Sequence, residues 1–154
     1  MFALLFAVMN YVSNPINPIV NETLRDNSVA CTLHVCTSCR GAGSPRYPKE
    51  NRPGFILFQQ LKDAVSNSDL QSRVEVTAAE CLSICPRPCG IAVSTPGSWS
   101  YLFGDQRPER GVEDILECLS LYIQSNGGFM ARSDRPKSLR GSILGRIPPL
   151  NRVK

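Results

Sequence analysis

Two close pairs of cysteines constrain the fold of this chain more than any other feature. Cys36 and Cys39 form a C-x2-C pair directly after an apolar run, and Cys81 and Cys85 form a C-x3-C pair after 41 intervening residues. Four thiolates match the ligand set of an iron–sulfur cluster or of a structural zinc ion. The chain is therefore expected to bring two distant loops together.

Length and composition indicate a single folded unit. The 154 residues suffice for one domain with a hydrophobic core and are too few for two ordinary domains. Seven cysteines, an odd number clustered in tight pairs, argue against a disulfide framework and favour a reduced, cytoplasmic setting. The apolar run over residues 1–9 is too short to span a bilayer and follows no basic residue, so we do not expect a targeting segment.

Composition shifts along the chain predict three segments. Residues 1–28 are expected to form an N-terminal extension, residues 29–127 the folded domain, and residues 128–154 a basic tail. The tail carries seven Lys or Arg against one Asp, a net charge of +6, whereas the rest of the chain has a net charge of −2. Apolar residues interspersed in the tail predict that it packs back on the domain rather than binding nucleic acid.

Hydrophobic periodicity predicts the order of the elements. Alternation indicates strands over residues 30–35 and 73–78 and a hairpin around Pro96-Gly97, while apolar spacings of three and four indicate helices over residues 54–65 and from about 111 to 125. The order strand-helix-strand then hairpin-helix predicts an α/β fold, a thioredoxin-like two-layer sandwich with helices packed on a small mixed sheet. Each cysteine pair then lies in a loop that follows one of two adjacent strands.

Three interpretations of the thiols compete. A thiol–disulfide oxidoreductase would use Cys36 and Cys39, but glycines and prolines follow this pair where a pKa-lowering helix is expected. Structural zinc sites usually have their two cysteine pairs closer together along the chain. A 2Fe-2S cluster on four thiolates carries a charge of about −2 that N–H donors and cations must offset. Arg40 and Arg87 adjoin the two pairs and are candidates to contact the cofactor.

Several motifs carry a resemblance to known families. The runs V-C-T-S-C-R, E-C-L-S-I-C-P-R-P-C, W-S-Y-L-F-G-D and R-I-P-P-L resemble an uncharacterised bacterial family of predicted metal-binding proteins, over about residues 30 to 150. The C-x3-C pair followed by an apolar strand and P-G-S-W-S-Y also resembles the second half of the thioredoxin-like 2Fe-2S ferredoxins.

The resemblance implies a metal on Cys36, Cys39, Cys81 and Cys85, with Cys89 as a reserve ligand because those ferredoxins separate their first two ligands further. The resemblance brings no established physiological role; from the thiols and the expected fold together we predict a 2Fe-2S one-electron carrier, without catalysis of its own, that serves a redox partner protein. Membranes and nucleic acid are not expected partners, and a homodimer is compatible with the sequence. A zinc-thiolate interaction or metal-delivery module and a dithiol oxidoreductase stay open as alternatives.

The remaining candidates are expected to be structural. His34 is the single histidine, and with four sulfurs available it is not expected to bind the metal. Cys31 lies in a strand and Cys118 flanks the apolar stripe of the last predicted helix, where buried thiols behave as small hydrophobic groups. No hydrolase or transferase constellation and no phosphate-binding glycine motif accompanies them.

Overall fold

A mixed β-sheet of five strands organises the part of the chain that the computed structural model describes, residues 29–43, 46 and 48–150. The predicted N-terminal extension lies outside the described residues. In chain order the elements are β1 (Cys31–Cys36), α1 (Pro53–Ser66), β2 (Val74–Ala79), β3 (Ile91–Ser94), β4 (Ser100–Phe103), α2 (Val112–Gln124), α3 (Lys137–Gly141) and β5 (Ile143–Ile147). Short 3-10 turns lie at Lys49–Asn51 and Asn126–Gly128.

The strand order is β2-β1-β3-β4-β5, with β1 at the junction between a parallel and an antiparallel half. Strand β1 pairs in parallel with β2, so that Cys36 lies opposite Ala79, and it pairs antiparallel with β3. The carboxyl ends of parallel neighbours meet at the same edge of a sheet. The loops that carry the two cysteine pairs therefore leave the sheet side by side.

One face of the sheet supplies most of the core. Alternate residues of β1, β3 and β4 are buried, as period-two patterning predicts, and α1 and α2 pack against one another and bury their apolar stripes. Helix α2 begins after Gly111, whose φ of 93° lies in the left-handed region that favours glycine. The completely buried side chains include Leu33, Val35, Leu57, Leu61, Phe103 and Leu119.

The described part of the tail, residues 128–150, contributes a helix and a strand to the domain. Strand β5 pairs antiparallel with β4, and Leu139 of α3 is 1% exposed within the core. The sequence interpretation expected the tail to pack back but predicted no strand there. The pattern of β5 explains this, because most of its five residues are exposed and Gly145 interrupts it, so no alternation is visible.

The predicted α/β fold is confirmed, with each predicted strand and helix boundary within about two residues of the observed one. In the ranges that the structure describes, no helix is both long enough and apolar enough to cross a membrane.

A matched pair of leucines tests whether the tail is part of the core. We expect Leu139→Ala to lower the free energy of unfolding by about 2–5 kcal/mol, because it leaves a cavity at a fully buried site. Leu150 is 82% exposed, so Leu150→Ala is expected to change it by less than about 0.5 kcal/mol. Urea titration followed by circular dichroism measures both, and equal small effects would contradict a structural role for α3.

Candidate metal centre

The first cysteine loop is buried between the sheet and the start of α1. Cys36 ends β1 and is 2% exposed, and Cys39 is 4% exposed. The Gly54 N–H donates to the Cys39 carbonyl at 3.2 Å. A Cβ on Gly54 would lie 2.2 Å from the Cys36 carbonyl oxygen and 2.9 Å from the Cys39 Cβ. Only glycine allows α1 to begin this close to the loop.

This contact corrects one argument from the sequence. Residues 40–52 separate Cys39 from α1 along the chain, which suggested that no helix terminus is near the C-x2-C pair. In space the first turn of α1 packs directly against it, because the intervening segment leaves the sheet edge and returns to the same place. The sequence argument against dithiol chemistry, that no helix begins near the C-x2-C pair, therefore does not hold.

The second cysteine loop contacts the first through Cys36. The Cys36 thiol lies 3.9 Å from the Glu80 carbonyl oxygen, and the Leu82 N–H is directed at the Cys36 sulfur. Within the second loop, the Ser83 N–H donates to the Cys81 sulfur at 3.3 Å. The parallel pairing of β1 with β2 thus brings together thiols that are far apart along the chain.

Cys89 joins the first pair in a chain of interacting thiols. Cys39 interacts with both Cys36 and Cys89, and the Gly90 N–H acts on the Cys39 thiol as well. The contact with Cys39, together with burial, raises the pKa of the Cys36 thiol. The Cys36 contact lowers the pKa of Cys39, but the Cys89 contact and burial outweigh it and the net pKa is raised. The contact with Cys39 lowers the pKa of Cys89.

A cavity of about 700 Å³ lies where the two loops face each other. Cys39 from the first loop and Cys85 from the second line its wall. Its basic lining consists of Arg40, Arg46, Lys49 and Arg52. Arg40 was predicted as a residue beside the cofactor, whereas the other three were missed. They lie in the segment before α1, and the signal that could have found them is a basic residue every three positions.

Arg87 is the other residue predicted to contact the cofactor. Unlike Arg40, it contacts Asp105 and Gly141. Its guanidinium forms an ion pair with Asp105, with Nε donating to the carboxylate at 2.8 Å, and it donates to the Gly141 carbonyl at 3.1 Å. The Asp105 contact raises the pKa of Arg87. Arg87 therefore links the second cysteine loop to the end of β4 and to α3. Its neighbour Pro88 lines the cavity.

The cysteine sulfurs suit a thiolate-bound metal, but they do not all face a common point. Backbone N–H groups directed at cysteine sulfurs stabilise thiolates, and cations near the site offset negative charge. Cys36, Cys39 and Cys89 are buried whereas Cys81 and Cys85 are exposed. Among the described residues, no three His, Cys, Asp or Glu side chains group around a common point as metal ligands. A shared ion requires the exposed pair to turn toward the buried pair.

The other candidates occupy structural positions. His34 bridges three strands, with its ring nitrogens 2.9 Å from the Thr77 hydroxyl and 3.0 Å from the Ser94 hydroxyl. Burial raises the pKa of Cys31 to about 11 and that of Cys118 to about 12. Such thiols stay protonated at neutral pH and pack as small apolar groups.

Comparisons with known proteins identify a family and a similar fold. A family model described as "Protein of unknown function (DUF1636)" matches residues 33–149. A structure of a thioredoxin-like [2Fe-2S] ferredoxin from Aquifex aeolicus is 18% identical, with a TM-score of 0.52 over 79% of this chain and 96% of that chain. A wild-type crystal structure of the thioredoxin-like [2Fe-2S] ferredoxin from that organism is also 18% identical, with a TM-score of 0.49 over 77% and 99% of the respective chains. A comparison with curated proteins finds no significant match.

Burial predicts the order in which the thiols of the metal-free protein react. At pH 8 we expect iodoacetamide to label Cys81 and Cys85 first, and Cys31 and Cys118 only after unfolding. With a pKa of about 12, the thiolate fraction of Cys118 is small and rises about tenfold per pH unit below that value. Peptide mass spectrometry over pH 7–10 measures the rates, with urea-unfolded protein as the control. Equal labelling of Cys118 and Cys81 in the folded chain would contradict this arrangement.

Proposed function

The chain belongs to the family described as protein of unknown function (DUF1636), and we propose that it binds metal through cysteine thiolates as a 2Fe-2S electron carrier. One observation carries the proposal. The two cysteine loops meet at one end of the sheet, where the Cys36 sulfur faces the Leu82 N–H and where Cys39 and Cys85 line one cavity. The fold is similar to that of a thioredoxin-like [2Fe-2S] ferredoxin.

Four residues would hold the cluster, namely Cys36, Cys39, Cys81 and Cys85, with Cys89 in reserve. When bound, a 2Fe-2S cluster supplies one-electron transfer. The protein contributes N–H groups from both loops, which favour the thiolate form of the sulfurs. The basic lining of the cavity offsets the negative charge of a four-thiolate site.

A dithiol oxidoreductase is the second candidate, and the position of Cys39 beside the first turn of α1 favours it. In that reaction Cys36 and Cys39 would form a disulfide while the two sulfurs of a substrate disulfide leave as thiols. The attacking sulfur must be a thiolate, however, and both thiols of this pair have raised pKa values. Zinc on the same sulfurs is the alternative metal.

Metal analysis of single variants tests the proposal. After anaerobic purification we expect brown-red absorbance with iron and acid-labile sulfide in equal amounts. Ser at position 36, 39, 81 or 85 is expected to remove most of this absorbance, because each change deletes a thiolate ligand. The variants Cys89→Ser and Cys118→Ala are expected to retain it. Absorbance and elemental analysis at matched protein concentration measure the loss.

Other outcomes assign the thiols differently. A colourless protein with one zinc per chain would replace the cluster with the zinc alternative. Insulin reduction that disappears in Cys36→Ser, without bound metal, would support the dithiol oxidoreductase instead. Loss of the cluster in Cys89→Ser but not in Cys81→Ser would place Cys89 among the ligands.

We further propose that a redox partner docks at the rim formed by Arg40, Arg87 and Pro88, beside the cavity. Among the residues that the structure describes, four basic side chains line the cavity against one acidic side chain, Glu80. A positively charged rim steers an acidic protein surface toward the site and repels a basic one. The cytoplasmic setting expected for such a carrier stays a prediction.

Small charged oxidants test this rim without an identified partner. We expect Arg40→Gln to slow oxidation of the reduced protein by anionic ferricyanide about twofold to threefold at low salt, because a steering charge is lost. Oxidation by cationic hexaamminecobalt(III) is expected to stay equal or become faster. Stopped-flow absorbance measures both rates. Arg73→Gln, an exposed change at the other end of β2, is the control, and an equal effect of both variants would contradict a local role.

A further inference from the structure

Arg135 is a buried cation without a counterion. It lies before α3 and is 5% exposed. Its Nε donates to the Ala131 carbonyl at 3.5 Å, a long contact, and its terminal nitrogen Nη1 is buried with no hydrogen-bond partner among the described residues. Within the described ranges no carboxylate lies within ion-pair distance of Arg135. The guanidinium therefore lacks the partner that a buried charge requires.

This arrangement is unfavourable unless another group compensates it. Arginine stays protonated at neutral pH, so burial cannot be relieved by deprotonation. An unpaired buried charge carries a large desolvation cost. The backbone around it is nonetheless held firmly, because Arg140 donates to the Arg135 carbonyl at 2.7 Å and to the Ser133 carbonyl at 2.8 Å. The fold thus holds in place the backbone from which the Arg135 side chain extends.

Arg135 lines a cavity of about 470 Å³ between the segment after α2 and strand β5. This volume is in the range of small-molecule sites. The cavity shares no lining residue with the one beside the cysteines. Its charged lining is Arg132, Arg135 and Arg146, with no acidic residue among the described lining, and Phe129, Ile143 and Leu144 supply apolar surface.

Arg146 is held in a way that suits anion recognition. Its guanidinium carbon lies 5.0 Å from the ring centroids of both Trp99 and Phe129. Contact of a guanidinium with aromatic rings fixes the group while its N–H bonds remain able to donate to an oxyanion. Two guanidinium groups, one buried and one braced by rings, therefore line the same cavity.

We propose that this cavity binds a small organic oxyanion, a carboxylate or a phosphate monoester with an apolar body. The planar fork of Arg135 pairs with either group through parallel hydrogen bonds. The apolar body packs against Phe129, Ile143 and Leu144. The site is independent of the metal centre, because it uses different residues and needs no thiol.

Calorimetric titration of the full chain, as purified, tests this site with four probes. Phenyl phosphate or benzoate is expected to bind saturably, inorganic phosphate more weakly, and neutral benzamide not at all. The stronger of the first two identifies the source as a phosphate ester or a carboxylate. Arg135→Met is expected to weaken binding at least about tenfold, whereas Arg73→Met is expected to leave it unchanged. The best probe is expected to raise the Tm of the unmodified chain but not that of Arg135→Met.

Three results would overturn the proposal. The first is that no probe binds saturably. The second is that Arg135→Met and the unmodified chain bind equally well. The third is that Arg135→Met has a lower Tm while no anion raises the Tm of the unmodified chain. The last would identify a purely structural arginine. If Arg135→Met does not fold, the same titration is made with Arg135→Lys and with Arg132→Met, a change at an exposed residue. Each is expected to weaken binding by several-fold while leaving the Tm of the unliganded protein near its original value.

Discussion

The parallel pairing of β1 with β2 is the constraint on which the cysteine site depends. It places Cys36 opposite Ala79, so that both cysteine loops begin at neighbouring points on one sheet edge. Backbone hydrogen bonds continue past the strands, with the Thr37 N–H bonded to the Ala79 carbonyl and the Cys36 N–H to the Gly90 carbonyl. A shift of register would separate the loops, because each residue along a strand moves the contact by about 3.3 Å.

Packing around that edge divides the thiols into two environments. Gly54 allows α1 to pack closely on the first loop, which contains Cys36 and Cys39, and these two thiols and Cys89 are buried. The second pair, Cys81 and Cys85, stays exposed on a loop that Arg87 links to Asp105. Buried thiols have raised pKa values unless a hydrogen-bond donor, a cation or a metal stabilises the thiolate. Metal binding at this edge would offset the desolvation that burial imposes on the buried sulfurs.

Much of the fold was predictable because its signals are local. The alternation in β1, the Pro-Gly turn of the hairpin and the apolar stripe of α2 each indicate an element within one stretch of chain. Strand β5 was not predictable, since its exposed edge position needs no alternation. In the site, the cysteine pairs and Arg40 were found from spacing. Two features could not be predicted: the contacts of Arg87 and the interaction of Cys89 with Cys39. Both depend on which segments lie side by side in three dimensions.

The sequence by itself determined the kinds of group available: seven thiols, four of them in two close pairs, and a basic carboxyl-terminal segment. Tertiary structure alone decided that α1 begins against Cys39, that Arg46 and Lys49 share a cavity with Cys85, and that Arg135 is buried with no partner for its Nη1 nitrogen among the described residues. The physical reason is that burial and electrostatic contact act through distance in space. That distance is set by strand pairing and packing between residues that are far apart along the chain.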